Sequence, residues 1–319
     1  MKKRYLGILA GLILCLCVTA CGKNSEKTEG KDTIKDAVLM AVGDETVSGQ
    51  EAMVYLYLLR QQYEVGMGEG VWSYSLGEEM TIEDYAKEAV ISNLTQLKVI
   101  CQQAVSEGIT LDEGEAYEAQ RAARRLLENA TEEDKERFRL EEAVIAKAYE
   151  DNVLAAKFFD AATAEVNTNI SNEDARQITV QYVYVSTEGM IEAQKEEKKE
   201  KAKKLLKEAK KATSFLSFAA SNSDSEETQI TFGNADMPED FGQAAMELKT
   251  GELSSVIEGE KGYYILYCIT DYNEDATLAK KEAMIEEERD RLFREKYAEW
   301  TEDYKVVISE ALWDEMRMR

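Results

Sequence analysis

The stretch Ile178-Thr179-Val180-Gln181-Tyr182-Val183-Tyr184-Val185 marks the point where the pattern of the chain changes. Its residues are mostly β-branched or aromatic, a composition that favours a β-strand. Residues 50–166, which precede it, carry apolar side chains at three- and four-residue steps, the spacing of amphipathic helices. Two more strands are predicted after it, at 253–257 and 263–270. The pattern therefore predicts the α+β class, with a small antiparallel-sheet module inserted in a mainly helical body.

The remaining segments set the domain boundaries. One long helix is predicted from Thr131 onward, and a final amphipathic helix starts near Thr277. Because that final helix follows the module, we expect it to pack back on the helical body. Three helices are predicted between the first strand of the module and its last two, at 188–211, 214–220 and 239–248. The predicted domains are a helical domain at 37–170, the sheet module at 172–274 and a C-terminal helix at 275–319.

The first 36 residues predict export and anchoring. Positively charged residues at 2–4 precede an apolar run at 5–20, which is typical of a secretory signal and is short for a membrane span. Leu16-Cys17-Val18-Thr19-Ala20-Cys21 resembles the bacterial lipoprotein cleavage box. That resemblance implies that residues 1–20 are cleaved as a signal peptide and that Cys21 carries lipid at the outer face of the cytoplasmic membrane. Residues 21–36 are then the lipidated cysteine and a flexible tether; an ordinary signal peptide and an uncleaved anchor are the alternatives.

Composition excludes several classes of protein and site. The chain has 319 residues and a net charge of −24, the opposite of the basic surface that nucleic acid requires. It contains no histidine, which removes the commonest general base, the usual zinc ligand and the Ser-His or Cys-His pair. We predict no metal, no cofactor and no nucleic-acid partner. Besides Cys21, the mature chain keeps Cys101 and Cys268, which we predict to be buried thiols, with a disulfide as the alternative.

Four motifs in the module carry a family resemblance. In chain order they are Phe215-Leu216-Ser217-Phe218-Ala219-Ala220; then Phe232-Gly233 with Met237 and Phe241-Gly242-Gln243-Ala244-Ala245; then Leu248-Lys249-Thr250-Gly251-Glu252-Leu253-Ser254; and Lys261-Gly262-Tyr263-Tyr264-Ile265-Leu266. In order and spacing they resemble the motifs of parvulin-type peptidyl-prolyl isomerases. The lipoprotein leader, the helical body and the closing helix are similar to those of PrsA/SurA-type extracytoplasmic foldases. The resemblance covers nearly all of the mature chain.

The resemblance implies an apolar substrate pocket. Parvulins hold the proline ring of the substrate against Met, Phe and Leu side chains. Two of these positions fall on Met237 and Phe241, and Phe232 is expected at the rim. The expected pocket Leu aligns with Gln229, so the apolar set is incomplete at that position.

The polar positions of the family fall on different residue types here. The two family histidines align with Tyr182 and Tyr264, and the Cys or Asp position aligns with Ser225, or with Asp224 if the alignment shifts by one. We expect the two tyrosines to pair as strand aromatics; a hydrogen bond between their hydroxyls is the alternative. The resemblance implies catalytic roles for Tyr182, Ser225 and Tyr264 only as replacements of the family residues.

Two functions remain open. The first is a membrane-anchored isomerase and foldase that acts on unfolded or partly folded secreted polypeptides. The second is a holdase chaperone that keeps the parvulin fold only as a peptide-binding platform. The retained pocket spacing favours the first, and the replaced histidines favour the second. The oligomeric state remains open as well.

Overall fold

The computed structural model describes residues 33–77, 80–234 and 236–318. Within these ranges the chain forms two compact units. The helical unit comprises residues 33–165 and 292–318, and the sheet unit comprises Val166–Arg291. The predicted signal peptide, Cys21 and the tether up to residue 32 lie outside the described residues. Thr33–Asp36, assigned to the flexible tether from the sequence, form a short helix, which corrects that assignment.

The helices and strands divide between the two units according to their position in the chain. Those up to residue 165 are α1 (Thr33–Asp36), β1 (Val38–Val42), β2 (Glu45–Ser48), α2 (Gly49–Met67), a 3-10 helix (Glu69–Ser73), α3 (Ile82–Ser106), α4 (Glu113–Asn129), α5 (Glu132–Arg137) and α6 (Glu142–Ala162). The sheet unit contains β3 (Gln177–Ser186), α7 (Glu192–Ala209), α8 (Phe215–Asn222), β4 (Gln229–Gly233), α9 (Glu239–Glu247), β5 (Ile257–Gly259) and β6 (Gly262–Thr270). The last elements are α10 (Glu274–Thr301), which runs from the sheet unit into the helical unit, β7 (Val306–Ile308) and α11 (Glu310–Glu315).

Capping residues explain where the helices of the helical unit begin. Ser48 accepts a hydrogen bond from the amide of Glu51 at the start of α2. Thr81 and Asp84 form a reciprocal capping box at the start of α3, which satisfies two amides that lack a partner inside the helix. In both cases the capping residue is of a type that marks a helix start in the local sequence.

The long helix predicted from Thr131 is in fact two helices, α5 and α6. Phe138 is fully buried and Leu140 nearly so, and both belong to the turn between these helices. The turn holds Arg139 at a φ of 50°, and the Arg139 carbonyl accepts a hydrogen bond from the side chain of Gln50. The local sequence pattern of this segment is helical throughout. Burial of Phe138 and Leu140 against the rest of the unit nevertheless interrupts the helix.

The core of the helical unit combines both ends of the chain. β1 lies between β2 and β7 in an antiparallel sheet of three strands. At the end of α10, Phe293 and Trp300 pack against Phe158, with ring centroids 6.4 and 5.3 Å away. The C-terminal segment predicted at 275–319 is therefore divided. Its residues 275–291 belong to the sheet unit, and the helical unit contains the part from Leu292 onward.

The sheet unit has four antiparallel strands in the order β4-β3-β6-β5. β3 is the longest strand, and Tyr184 faces Tyr264 across the β3–β6 ladder. β4 has no counterpart in the sequence prediction. The strand predicted at 253–257 is largely wrong, because Leu253 makes only an isolated bridge to Tyr267 and β5 begins at Ile257.

Side-chain alternation gives this sheet two different faces. On the face covered by α7 and α8, which we call the closed face, Val183, Val185 and Ile265 are completely buried. On the face covered by α9, which we call the site face, Tyr182 and Tyr264 remain partly exposed. The two predicted parvulin motif residues Met237 and Phe241 belong to the cluster on the site face.

The architecture confirms the predicted α+β class. Cys101 and Cys268 are both buried and free, in agreement with the prediction of buried thiols. Among the residues that the structure describes, no helix is both long enough and apolar enough to span a membrane.

Candidate functional site

Phe241 lies at the centre of the candidate site. Its ring centroid is 5.6 Å from that of Phe232, 5.2 Å from that of Tyr264 and 5.9 Å from that of Tyr182. Both tyrosines meet it nearly edge-on, at interplanar angles of 84° and 87°, which the quadrupoles of aromatic rings favour. The structure thus brings together residues far apart in the sequence. We call the following group the aromatic cluster: Tyr182, Tyr184, Phe232, Met237, Phe241 and Tyr264.

The members of the aromatic cluster differ in depth. Phe232 and Phe241 are each only 3% exposed, so they form the base of the site. Tyr182, Tyr264 and Met237 are half-buried, so part of each side chain can meet a bound molecule. Phe241 is therefore packed as a core residue, and Met237 only partly so.

Alternation along β4 decides which of its side chains reaches the site face. Ile230 and Phe232 pack in the cluster on that face. Gln229, which aligns with the pocket Leu of the family, is exposed and accepts a hydrogen bond from the side chain of Gln181 at 3.0 Å. The side chain that β4 places beside Phe232 on the site face is therefore that of Ile230, one residue after Gln229, because neighbouring residues of a strand point to opposite faces.

Ser225 and Asp224, the two candidates for the Cys or Asp position, differ in their contacts with the aromatic cluster. The Tyr182 hydroxyl lies 3.4 Å from the Ser225 hydroxyl. The Asp224 carboxylate instead accepts a hydrogen bond from the Ser186 amide at 2.9 Å. Ser225 is therefore the residue of this loop that faces the aromatic cluster.

Tyr264 is not the partner of Tyr182 in either predicted sense. Across the β3–β6 ladder Tyr182 faces Leu266, and Tyr264 faces Tyr184, on which its ring stacks with centroids 4.9 Å apart. Between Tyr182 and Tyr264, both of which the structure describes, there is no hydroxyl–hydroxyl hydrogen bond; the Tyr182 hydroxyl pairs with Ser225. The two rings instead share Phe241 as their common contact.

Tyr184 is a site residue that the motifs missed. Its hydroxyl donates a hydrogen bond to the Lys261 carbonyl at 2.7 Å, which fixes the ring against Tyr264. Burial raises the pKa of Tyr264, and the nearby hydroxyls of Tyr184 and Tyr182 raise it further. Like any tyrosine whose pKa is not lowered, Tyr264 is protonated at neutral pH and can donate a hydrogen bond. Two-residue alternation along β3 was the signal that places Tyr184 on the same face as Tyr182.

The arrangement suits binding of an apolar ring beside a polar backbone. Phe241 and Phe232 provide an apolar base, and the half-buried tyrosines add ring edges and hydroxyl groups. Within the described ranges, no group of three or more cysteine, aspartate or glutamate side chains could hold a metal ion. The side chains of the aromatic cluster offer apolar contact and hydrogen bonding by neutral groups.

Comparison with protein families identifies the type of module. Residues 183–270 match the family model described as rotamase, the PPIC-type PPIase domain. This match confirms the predicted parvulin-type resemblance for the region from the last four residues of β3 to the end of β6, which contains α9. A comparison with curated proteins finds no match.

Several solved structures are similar to the chain over a larger range. The foldase protein PrsA of Lactococcus lactis is 17% identical over 88% of this chain and 100% of that one, with a TM-score of 0.38. PrsA of Streptococcus pneumoniae is 20% identical over 72% and 91%, with a TM-score of 0.31. A structure from a description of the SurA-like chaperones PEB4 and Cj1289 of Campylobacter jejuni is 11% identical over 86% and 99%, with a TM-score of 0.31.

Proposed function

We propose that the sheet unit is a peptidyl-prolyl isomerase module that binds proline-containing segments of unfolded or partly folded polypeptides on its site face. The observation that carries the proposal is the contact of Tyr182 and Tyr264 with one buried ring, Phe241. The sequence resemblance assigns these three residues to the positions of the family's two histidines and phenylalanine. Phe241 and Met237 supply the apolar surface against which a proline ring packs.

The reaction requires little chemistry from the protein. Rotation about a peptide bond has a barrier of ~18–20 kcal/mol, because resonance keeps the bond planar. An apolar site that removes water from the imide weakens the solvation of its planar, charge-separated form. A fixed donor stabilises the carbonyl oxygen or the pyramidal nitrogen of the twisted state. Tyr264 is the donor that we assign to this role, because its partly exposed side chain contacts Phe241 on the site face.

A holdase is the second candidate function, and a specific observation favours it. The chain contains no histidine, so neither of the family's histidines is present. A site with tyrosines at both positions can bind a peptide without accelerating its isomerisation. The two candidates predict the same contacts with the peptide and differ in turnover.

The test uses the chain from residue 22 onward, without its leader. We expect it to accelerate isomerisation of a proline tetrapeptide and to bind the same peptide with an affinity that Met237→Ala lowers. Met246→Ala is the matched control, since Met246 is also half-buried on the site face but lies at the far end of α9. Acceleration that Met237→Ala removes supports the isomerase. A flat rate with Met237-dependent binding and suppressed aggregation of an unfolded client supports the holdase, and no binding at all overturns both.

We also propose that the protein works outside the cell on secreted chains, held to the membrane by lipid on Cys21. The support is the sequence at 16–21 with its charged and apolar flanks. Cys21→Ala is expected to release the full-length protein from the membrane fraction of a bacterium that expresses it. Retention of the variant in that fraction contradicts lipid anchoring through this cysteine.

A further inference from the structure

Acidic residues border the aromatic cluster on the side of Tyr182. The loop 224–228 touches Tyr182 twice, through the Ser225 hydroxyl at 3.4 Å and through the Thr228 carbonyl, which accepts a hydrogen bond from the Tyr182 amide at 2.8 Å. Glu226 and Glu227 lie between these two contacts, so their backbone passes beside the tyrosine. Both side chains are exposed.

A second acidic group borders the cluster on the side of Met237. Asp236 precedes Met237 directly, and Glu239 and Asp240 begin α9, the helix that carries Phe241. All three acidic side chains are exposed. A third element contributes Glu188, whose charge is close enough to raise the pKa of Tyr264 further.

Only part of this negative charge is balanced by neighbouring lysines. The Asp236 carboxylate lies 3.6 Å from the Lys280 ammonium, and Glu188 lies 3.5 Å from that of Lys261. Asp224 has Lys198 and Lys201 at 3.9 and 3.8 Å.

Three other acidic residues of this border have no such ion pair with a described lysine or arginine. For Glu226, Glu227 and Asp240, no ammonium or guanidinium group of the described residues lies within 4.0 Å. A peptide on the site face therefore meets uncompensated negative charge on two sides of the aromatic cluster.

We infer that the site selects cationic segments, in which lysine or arginine is adjacent to the bound proline. The inference rests on the proposed function and names its substrate class. Exposed carboxylates attract a positive charge at short range, and the partly exposed aromatic side chains of Tyr182 and Tyr264 can add cation–π contact with an ammonium or guanidinium group.

The test compares three labelled tetrapeptides, Ala-Xaa-Pro-Phe with lysine, glutamine or glutamate at Xaa, by fluorescence anisotropy with the chain from residue 22. We expect the lysine peptide to bind roughly fivefold or more tightly than the glutamate peptide at low salt. At about 0.5 M salt the difference should shrink, because exposed charges are then screened. Binding is measured rather than turnover, so that the result holds for an isomerase and for a holdase.

A matched pair of variants separates the local charge from the net charge of −24. Glu226→Gln/Glu227→Gln removes two charges beside Tyr182 and is expected to lower the preference for lysine at least twofold. Glu196→Gln/Glu197→Gln removes two consecutive exposed charges from α7, which covers the closed face. The control variant is expected to keep the preference of the parent chain.

The outcomes distinguish this inference from the proposed function. Equal binding of the three peptides, or equal effects of the two double variants, overturns the selection of cationic segments. If the glutamine peptide still binds and Met237→Ala weakens it, the proposed function stands without the inference. If none of the peptides binds, both are overturned.

Discussion

The closed face and the site face of the same four-stranded sheet differ in how completely they are covered. On the closed face α7 and α8 seal Val183, Val185 and Ile265, none of which is exposed. On the site face α9 leaves Tyr182 and Tyr264 half-buried above Phe241. Because neighbouring residues of a strand point to opposite faces, each strand contributes to stability on one side and to the candidate site on the other. Substitutions one residue apart should therefore have separable effects.

The largest effect is expected for Ile265→Ala on the closed face. The side chain is completely buried, so its truncation leaves a cavity and lowers the free energy of unfolding by about 2–5 kcal/mol. Urea unfolding followed by circular dichroism measures the change. Ile269→Ala on the same strand is the control: that side chain is 38% exposed, and its truncation should cost under about 1 kcal/mol. Equal losses for the two variants contradict the assignment of a sealed face.

An intermediate effect is expected for the neighbouring tyrosines Tyr263 and Tyr264. Tyr264→Phe removes a hydroxyl from the site face, and we expect the affinity for a proline peptide to fall roughly three- to tenfold through one lost hydrogen bond. Tyr263 is only 4% exposed and belongs to the closed face, so Tyr263→Phe should leave the affinity unchanged. Peptide titration of both variants, with urea unfolding to verify their folding, measures the difference. A loss of affinity in Tyr263→Phe alone would place binding on the other side of the sheet.

The smallest effect is expected in the dependence of stability on pH. Burial raises the pKa of Tyr264, and Tyr184 and Tyr182 add to the shift. In the alkaline range the unfolded chain loses this proton first, so the free energy of unfolding falls as the pH rises above about 10. Tyr264→Phe removes this titration and should flatten the decline in the range that begins near pH 10. Urea unfolding of both proteins across that range measures it, and two parallel curves would mean that the Tyr264 hydroxyl titrates as in the unfolded chain.

Local patterns predicted the elements whose own residues show the signal. The β-branched and aromatic stretch at 178–185 lies within β3, and the stretch at 263–270 lies within β6. The capping residues Ser48 and Thr81 stand where their helices begin. In these segments the preference of the backbone and the pattern of burial agree, so a short window of sequence is sufficient.

Other elements depend on partners that are distant in the sequence. β4 forms against β3, and its segment around Thr231 is short and half polar, so nothing local distinguishes it from a loop. The same strand decides that Ile230 and not Gln229 reaches the site face, because register is set by pairing. Likewise, α5 and α6 are separate helices because Phe138 is buried in a core formed by residues from distant parts of the sequence.

By itself, the sequence determined the α+β class, the parvulin-type motifs and most residues of the candidate site, because composition, periodicity and motif spacing are local properties of the chain. Only the tertiary structure decided that Tyr182 and Tyr264 meet at Phe241, that Ser225 rather than Asp224 faces them, and that Tyr184 joins the cluster. These contacts arise from strand register and from the packing of α9 on the sheet. Both are set by the burial of side chains from segments far apart in the chain, which no local window contains.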